Sequence, residues 1–133
     1  MKKVFGDTFY FLALLDSRES RHSLALAASR DARMQLVTTE WVLTEFADAY
    51  HHPNDRADFV ALYRALASDP RVQIIAADTR LFQRAIDLYE NRPDKDWSLT
   101  DCISFVVMQD EGIQDALTGD RHFEQAGFHS LLK

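Results

Sequence analysis

The sequence predicts a three-layer α/β/α sandwich around a mainly parallel sheet of four to five strands. Short runs rich in β-branched and aromatic residues alternate along the chain with longer segments of helical period, the pattern of βα units. Strand-like runs are followed directly by residues that start helices, such as Asp7 and Thr39, or by turn formers. The chain has 133 residues, 47% hydrophobic and 27% charged, with four glycines, three prolines and no repeat or low-complexity tract, so residues 1–133 are expected to form a single domain around one core.

Taken in order, Lys3 to Gly6 is a short strand that stops at Asp7, and Thr8 to Leu15 is a helix broken at Asp16-Ser17. Arg21 to Ser29 is a second helix. Leu36 to Thr38 is a strand, followed by a helix from Thr39 to Tyr50 that ends before His52-Pro53. Asp55 caps a helix over Ala57 to Ala67, Asp69-Pro70 turns the chain, and Val72 to Ile75 is a third strand. Asp78 is an N-cap for a helix reaching Tyr89, after which Asn91 to Trp97 is a polar loop. The run Ile103 to Met108 lacks alternation and fits a buried strand as well as a helix; Ser98 as a cap and the polar Gln109-Asp110-Glu111 favour the helix. Asp115 to Thr118 is a fourth strand, Asp120 to Gln125 a short helix, and His129 to Leu132 an edge strand.

Composition narrows the function. The longest apolar run, Phe9 to Leu15, is too short to span a bilayer, and the Met-Lys-Lys start lacks a cleavable signal pattern, so no membrane association and a cytoplasmic location are expected. Cys102 is the sole cysteine, which rules out an internal disulfide and leaves no Cys/His spacing for structural zinc. Beside a buried run and with no evident base, it is expected to pack in the core. A net charge of −6 opposes loose electrostatic binding of nucleic acid, so any action on phosphates requires a metal ion or a local basic rim.

The acids carry the functional signal. Ligand sites in open parallel sheets lie at the carboxyl ends of strands, where strand order reverses. Asp7 follows the first strand and Asp120 the fourth, so their carboxylates meet if those strands are neighbours. On the third helix Val42, Phe46, Ala49 and Tyr50 define the apolar arc, and Glu45 is expected on its edge, turned to the core side. Asp101 falls in the first turn of its helix, in line with Phe105 and Met108. Ordinary capping offers another explanation for three of these acids. Ser98-Leu99-Thr100-Asp101 resembles a capping box, and Asp7 and Asp120 precede helices. Jointly, however, four acids at such positions would bury several uncompensated negative charges together.

The segments Phe5-Gly6-Asp7-Thr8, Thr44-Glu45, Trp97-Ser98-Leu99-Thr100-Asp101-Cys102 and Thr118-Gly119-Asp120-Arg121-His122-Phe123 together resemble the PIN-domain family, and more closely its VapC-like toxin branch. Their order and spacing cover nearly the whole chain. The resemblance implies a five-stranded parallel sheet flanked by helices, with Asp7, Glu45, Asp101 and Asp120 as the family's acidic quartet and Thr118 as the hydroxyl that supports the metal or its water. Gly119 departs from the small polar residue that many relatives carry there.

Such an all-oxygen site suits Mg²⁺ or Mn²⁺, and hydrolysis of an RNA phosphodiester is the chemistry implied. Asp7, Asp101 and Asp120 are expected as metal ligands, with Glu45 as a ligand through water or as the base. Candidate substrate contacts are Arg18, Arg21, Lys95, Arg121 and His122 for phosphates and Trp97 for base stacking, although a solvated surface explains the former group and helix packing the latter. The toxin branch also implies a small antitoxin with a basic segment for the acidic cleft, and a homodimer built through helices. Two other functions fit the same acids: a non-catalytic RNA- or protein-binding module, and a phosphatase with Asp7 as covalent nucleophile, which would lack the usual second acid at Phe9.

Overall fold

In a computed structural model that describes all 133 residues, five strands form one sheet in the order β3-β2-β1-β4-β5, and every neighbouring pair is parallel. They are β1 (Lys2–Gly6), β2 (Met34–Thr39), β3 (Val72–Ile75), β4 (Asp115–Leu117) and β5 (His129–Ser130). The helices are α1 (Thr8–Leu15), α2 (His22–Ser29), α3 (Glu40–Ala49), α4 (Arg56–Ser68), α5 (Thr79–Asn91), α6 (Leu99–Glu111) and α7 (Arg121–Gln125). The chain winds outward from β1 through β2 to β3, then crosses to the other side for β4 and β5. The order therefore reverses between β1 and β4, with Gly6 in register with Leu117.

Alternate residues of β1 serve the two faces. Phe5 meets Phe123 of α7, which packs edge-on against Phe105 of α6. The opposite face holds an aromatic run from Phe11 of α1 through Phe46 of α3 to Phe59 of α4. No helix is long and apolar enough to cross a membrane.

Expected and observed elements differ mainly at their ends. β2 begins at Met34 rather than Leu36, β4 stops before Thr118, and β5 is only His129–Ser130, although Leu132 remains buried. The Ile103 to Met108 run is helical. Every residue of α6 from Asp101 to Met108 is buried, which explains why no alternation or amphipathic stripe marks it. Its start is a capping box and its end is Gly112 in the left-handed conformation at φ 66°.

α3 corrects one expectation. Its buried residues are Val42, Leu43 and Phe46, while Ala49 is exposed, so the apolar arc turns toward Leu43 and away from Glu45. Glu45 is consequently exposed instead of lying on the core edge.

At the amino end of the sheet Asp115 is buried, with 7% of its surface exposed. The Lys2 ammonium pairs with its Oδ2, and His129 Nδ1 lies 3.2 Å from its Oδ1. The pairing with Lys2, opposed by desolvation and aided by His129, holds the Asp115 carboxyl below its ordinary pKa.

Candidate active site

The carboxyl ends of β1 and β4 meet where the sheet order reverses, and Asp7 N donates there to the carbonyl of Leu117 at 3.4 Å. Asp7 is only 6% exposed. It occupies the N-cap position of α1 without making a side-chain cap bond, so capping does not account for its carboxylate. Thr118, wholly buried just past β4, donates its hydroxyl to Asp7 Oδ2 at 2.9 Å and accepts from Asp120 N at 3.0 Å. One hydroxyl thus ties the end of β1 to the turn that carries Asp120.

Gly119 shapes this turn by its lack of a side chain. A Cβ there would lie 2.5 Å from Phe9 Cζ, so the Phe9 ring occupies the space that any other residue would need. The small polar residue common in relatives is incompatible with Phe9 in its present position. Asp120 accepts from His122 N at 2.9 Å and thereby caps α7.

Asp101 joins from the start of α6. Its Oδ2 accepts from Ser98 N at 3.0 Å while Ser98 Oγ accepts from Asp101 N at 3.0 Å, the two halves of a capping box. The same Oδ2 lies 2.8 Å from His122 Nδ1. Capping therefore accounts for the position of this carboxylate, and the same cap directs it to the cluster.

His122 is the residue that sequence reasoning undervalued. It was expected on the rim as a phosphate contact, yet its ring stands among the acids, with Nδ1 3.5 Å from Asp120 Oδ1 and Nε2 3.2 Å from Asp96 Oδ1. One ligand atom from each of Asp101, Asp120 and His122 falls within 4.8 Å of the others. The available signal was its place two residues after Asp120, at the opening of α7.

Charge distinguishes this cluster from a capping network. Burial pushes the Asp7 carboxyl up to about 7; Thr118 and the backbone at Thr8 oppose that rise, while the charges of Asp101 and Glu45 add to it. Glu45, although exposed, therefore bears on the same site. For His122, burial disfavours the charged ring, but Asp101, Asp120 and Asp96 outweigh it and raise the pKa above its ordinary value. No lysine or arginine pairs with Asp7, Asp101 or Asp120.

The other candidates separate. Arg18 and Arg21 follow the far end of α1, one helix length of roughly 12 Å from Asp7, and the Arg18 guanidinium is bound to Asp16 at 3.0 Å and 3.2 Å. The structure does not bring these two to the acids. Arg121 is exposed and 3.9 Å from Asp96, and Lys95 lies one residue from Asp96, so both stand on the rim. Trp97 is buried, with its ring edge-on to Phe105, its Nε1 donating to Gln125 Oε1 at 3.0 Å and Arg92 over its face. Its surface is used in packing, and the expectation of base stacking is corrected accordingly. Cys102 is fully buried and its thiol is pushed up to about 11, chiefly by burial, in keeping with core packing.

Oxygen donors with one imidazole nitrogen, gathered around a buried carboxylate and short of positive charge, fit a divalent cation. The PIN domain family profile matches residues 4–129. The 23S rRNA-specific endonuclease VapC20 of Mycobacterium tuberculosis is 29% identical over 126 residues, covering 94% of this chain and 95% of that protein. The crystal structure of VapC20, described as a Sarcin-Ricin loop cleaving toxin, superposes with a TM-score of 0.81 at 28% identity, over 94% of this chain and 95% of its own. FitAcB from Neisseria gonorrhoeae has the same fold, with a TM-score of 0.64 at 12% identity over 96% of this chain and 95% of its own. The chain belongs to the PIN-domain family and is similar, within it, to the VapC-like toxins.

Proposed function

We propose that this chain is a divalent-metal-dependent endoribonuclease that hydrolyses RNA phosphodiester bonds, and that it is the toxin of a type II toxin-antitoxin pair. The observation that carries the reading is Asp7: buried at the switch point, backed by Thr118 and lacking any cationic partner. Asp7, Asp101 and Asp120 would hold the ion, with Glu45 reaching it through water or acting as base. A bound Mg²⁺ or Mn²⁺ supplies a water of lowered pKa and neutralises charge on the phosphate. Thr118 keeps the Asp7 carboxylate and the Asp120 turn in fixed relation, and the capping box holds Asp101 in place. Likeness to VapC20 makes 23S ribosomal RNA the first substrate to test.

The acidic cleft suits a basic segment of an antitoxin on electrostatic grounds. Phe82, Ile86 and Tyr89 form an exposed stripe on α5 at i, i+4 and i+7 spacing, a face suited to the helix-mediated homodimer that the family resemblance implies. The phosphatase reading is weakened by Phe9, whose ring packs on Gly119 where that chemistry would want a second acid.

Cleavage of an RNA pool with Mg²⁺, Mn²⁺ or EDTA, by wild type and by Asp7→Asn and Asp101→Asn, tests the proposal. Cleavage is expected only with metal and wild type. Activity that survives EDTA and both substitutions would remove this mechanism.

A further inference from the structure

The roles assigned above leave His122 without one, although its side chain stands at the centre of the cluster. Its main-chain N–H serves the α7 cap, so the cap does not explain where the ring points. The ring is largely buried, with 17% of its side chain exposed, and its two nitrogens face different carboxylates. On the inner side Nδ1 is hydrogen-bonded with Asp101 Oδ2 at 2.8 Å and lies 3.5 Å from Asp120 Oδ1, and on the outer side Nε2 lies 3.2 Å from Asp96 Oδ1.

We propose that His122 is a direct ligand, through Nδ1, of the divalent ion shared with Asp101 and Asp120, and that Asp96 orients its ring by accepting the Nε2 proton. The inference rests on the metal-dependent reading above and deepens it. A ligating histidine generally donates its second ring N–H to a carboxylate, which fixes the tautomer and leaves the other nitrogen's lone pair for the metal. Asp96 Oδ1, 3.2 Å from Nε2, is placed to take that role once an ion replaces the hydrogen bond that Nδ1 makes to Asp101. The inner spacings also suit one ion, since adjacent corners of an octahedron with arms of 2.0–2.1 Å lie roughly 3 Å apart. Thr118 and the Ser98 capping box hold the acids, while Asp96 holds the imidazole.

The consequence concerns metal choice. Carboxylates alone suit Mg²⁺ and Mn²⁺ alike, whereas imidazole is a better partner for transition ions. His122 thus makes this site discriminate in favour of Mn²⁺ beyond what the acids would do.

The test is pulsed electron paramagnetic resonance of Mn²⁺ bound to the full chain, comparing wild type with His122→Gln, whose fold is checked by circular dichroism. Wild type is expected to show the hyperfine coupling of a directly bound nitrogen, and His122→Gln to lose it. Competition with Mg²⁺ should show the Mn²⁺ preference falling by about tenfold in the variant, the low end of what disturbing a metal ligand costs. Mn²⁺ bound by wild type without nitrogen coupling, or a coupling that persists in His122→Gln, overturns this inference and leaves the nuclease reading intact. Should wild type bind no Mn²⁺ and cleave RNA equally in EDTA, both fail.

Discussion

Two aspartates of nearly equal solvent exposure stand at opposite ends of the same strand pair. Asp115 opens β4 and is 7% exposed; Asp7 follows β1 and is 6% exposed. Asp115 has Lys2 and His129 against it, and its carboxyl is held below the ordinary value. Asp7 has Thr118 and two neighbouring negative charges, and its carboxyl is pushed up to about 7. Two things separate them: Asp7 is enclosed more deeply, so desolvation dominates its carboxyl, and it lacks the cation that Asp115 has in Lys2. The amino end of the sheet carries its own counter-charge, and the carboxyl end leaves room for one from outside.

The comparison breaks most readily at the carboxyl end. Asp7→Asn or Asp101→Asn should lower the RNA cleavage rate by at least about a hundredfold, since even residues that only orient metal ligands are worth 10–100-fold; single-turnover rates at saturating metal measure it. Metal should also act as a stabilising ligand. Mn²⁺ at about a hundred times its Kd should add about 2.7 kcal/mol to wild-type stability, and less to Asp7→Asn, as read by urea titration.

The two ends should respond to pH in opposite senses. With metal removed, the raised pKa of Asp7 makes its contribution most favourable below 3.8, and that stability is lost as pH rises through about 7. Asp7→Asn should accordingly be more stable than metal-free wild type by about 2 kcal/mol at pH 8, with the difference vanishing near pH 4. Asp115 has a lowered pKa, so its stabilisation is present above the ordinary carboxyl value and disappears as pH falls through the folded one. Asp115→Asn should cost about 1 kcal/mol at neutral pH, because Lys2 and His129 are mostly exposed, and nothing in strong acid.

A change without charge sharpens the contrast further. Gly119→Ala drives a methyl into the Phe9 ring and should cost about 1 kcal/mol of stability. It should nevertheless slow cleavage more than Asp115→Asn does, because the displacement occurs at the Asp120 turn; the paired measurements check the order of the two effects.

Much of the carboxyl end was legible because it depends on topology. Strand ends at Gly6 and Leu117, followed by acids, are local signals, and an outward-winding chain brings them together. Glu45 was misplaced because one residue, Leu43, moves the buried arc of α3, and a helical wheel cannot tell which of two flanks faces the sheet. His122 was legible as a candidate phosphate contact but not as a member of the acid cluster, because its neighbours Asp96 and Asp101 come from the loop before α6 and the start of that helix. Trp97 was readable as packing from its place before α6, but its bond to Gln125 of α7 was not. The pairing of Asp115 with Lys2 joins the starts of two strands more than a hundred residues apart and had no local mark.

The bond from Thr118 to Asp7 closes a loop of 111 residues. During synthesis, every segment from β1 through α6 emerges before the strand and turn that complete the cluster. A ribosome that still shelters β4 therefore carries a nascent chain with Asp7 but without Thr118 or Asp120 opposite it. A chain stopped before β4 should accordingly hold Asp7 without the hydroxyl and the turn that complete the cluster.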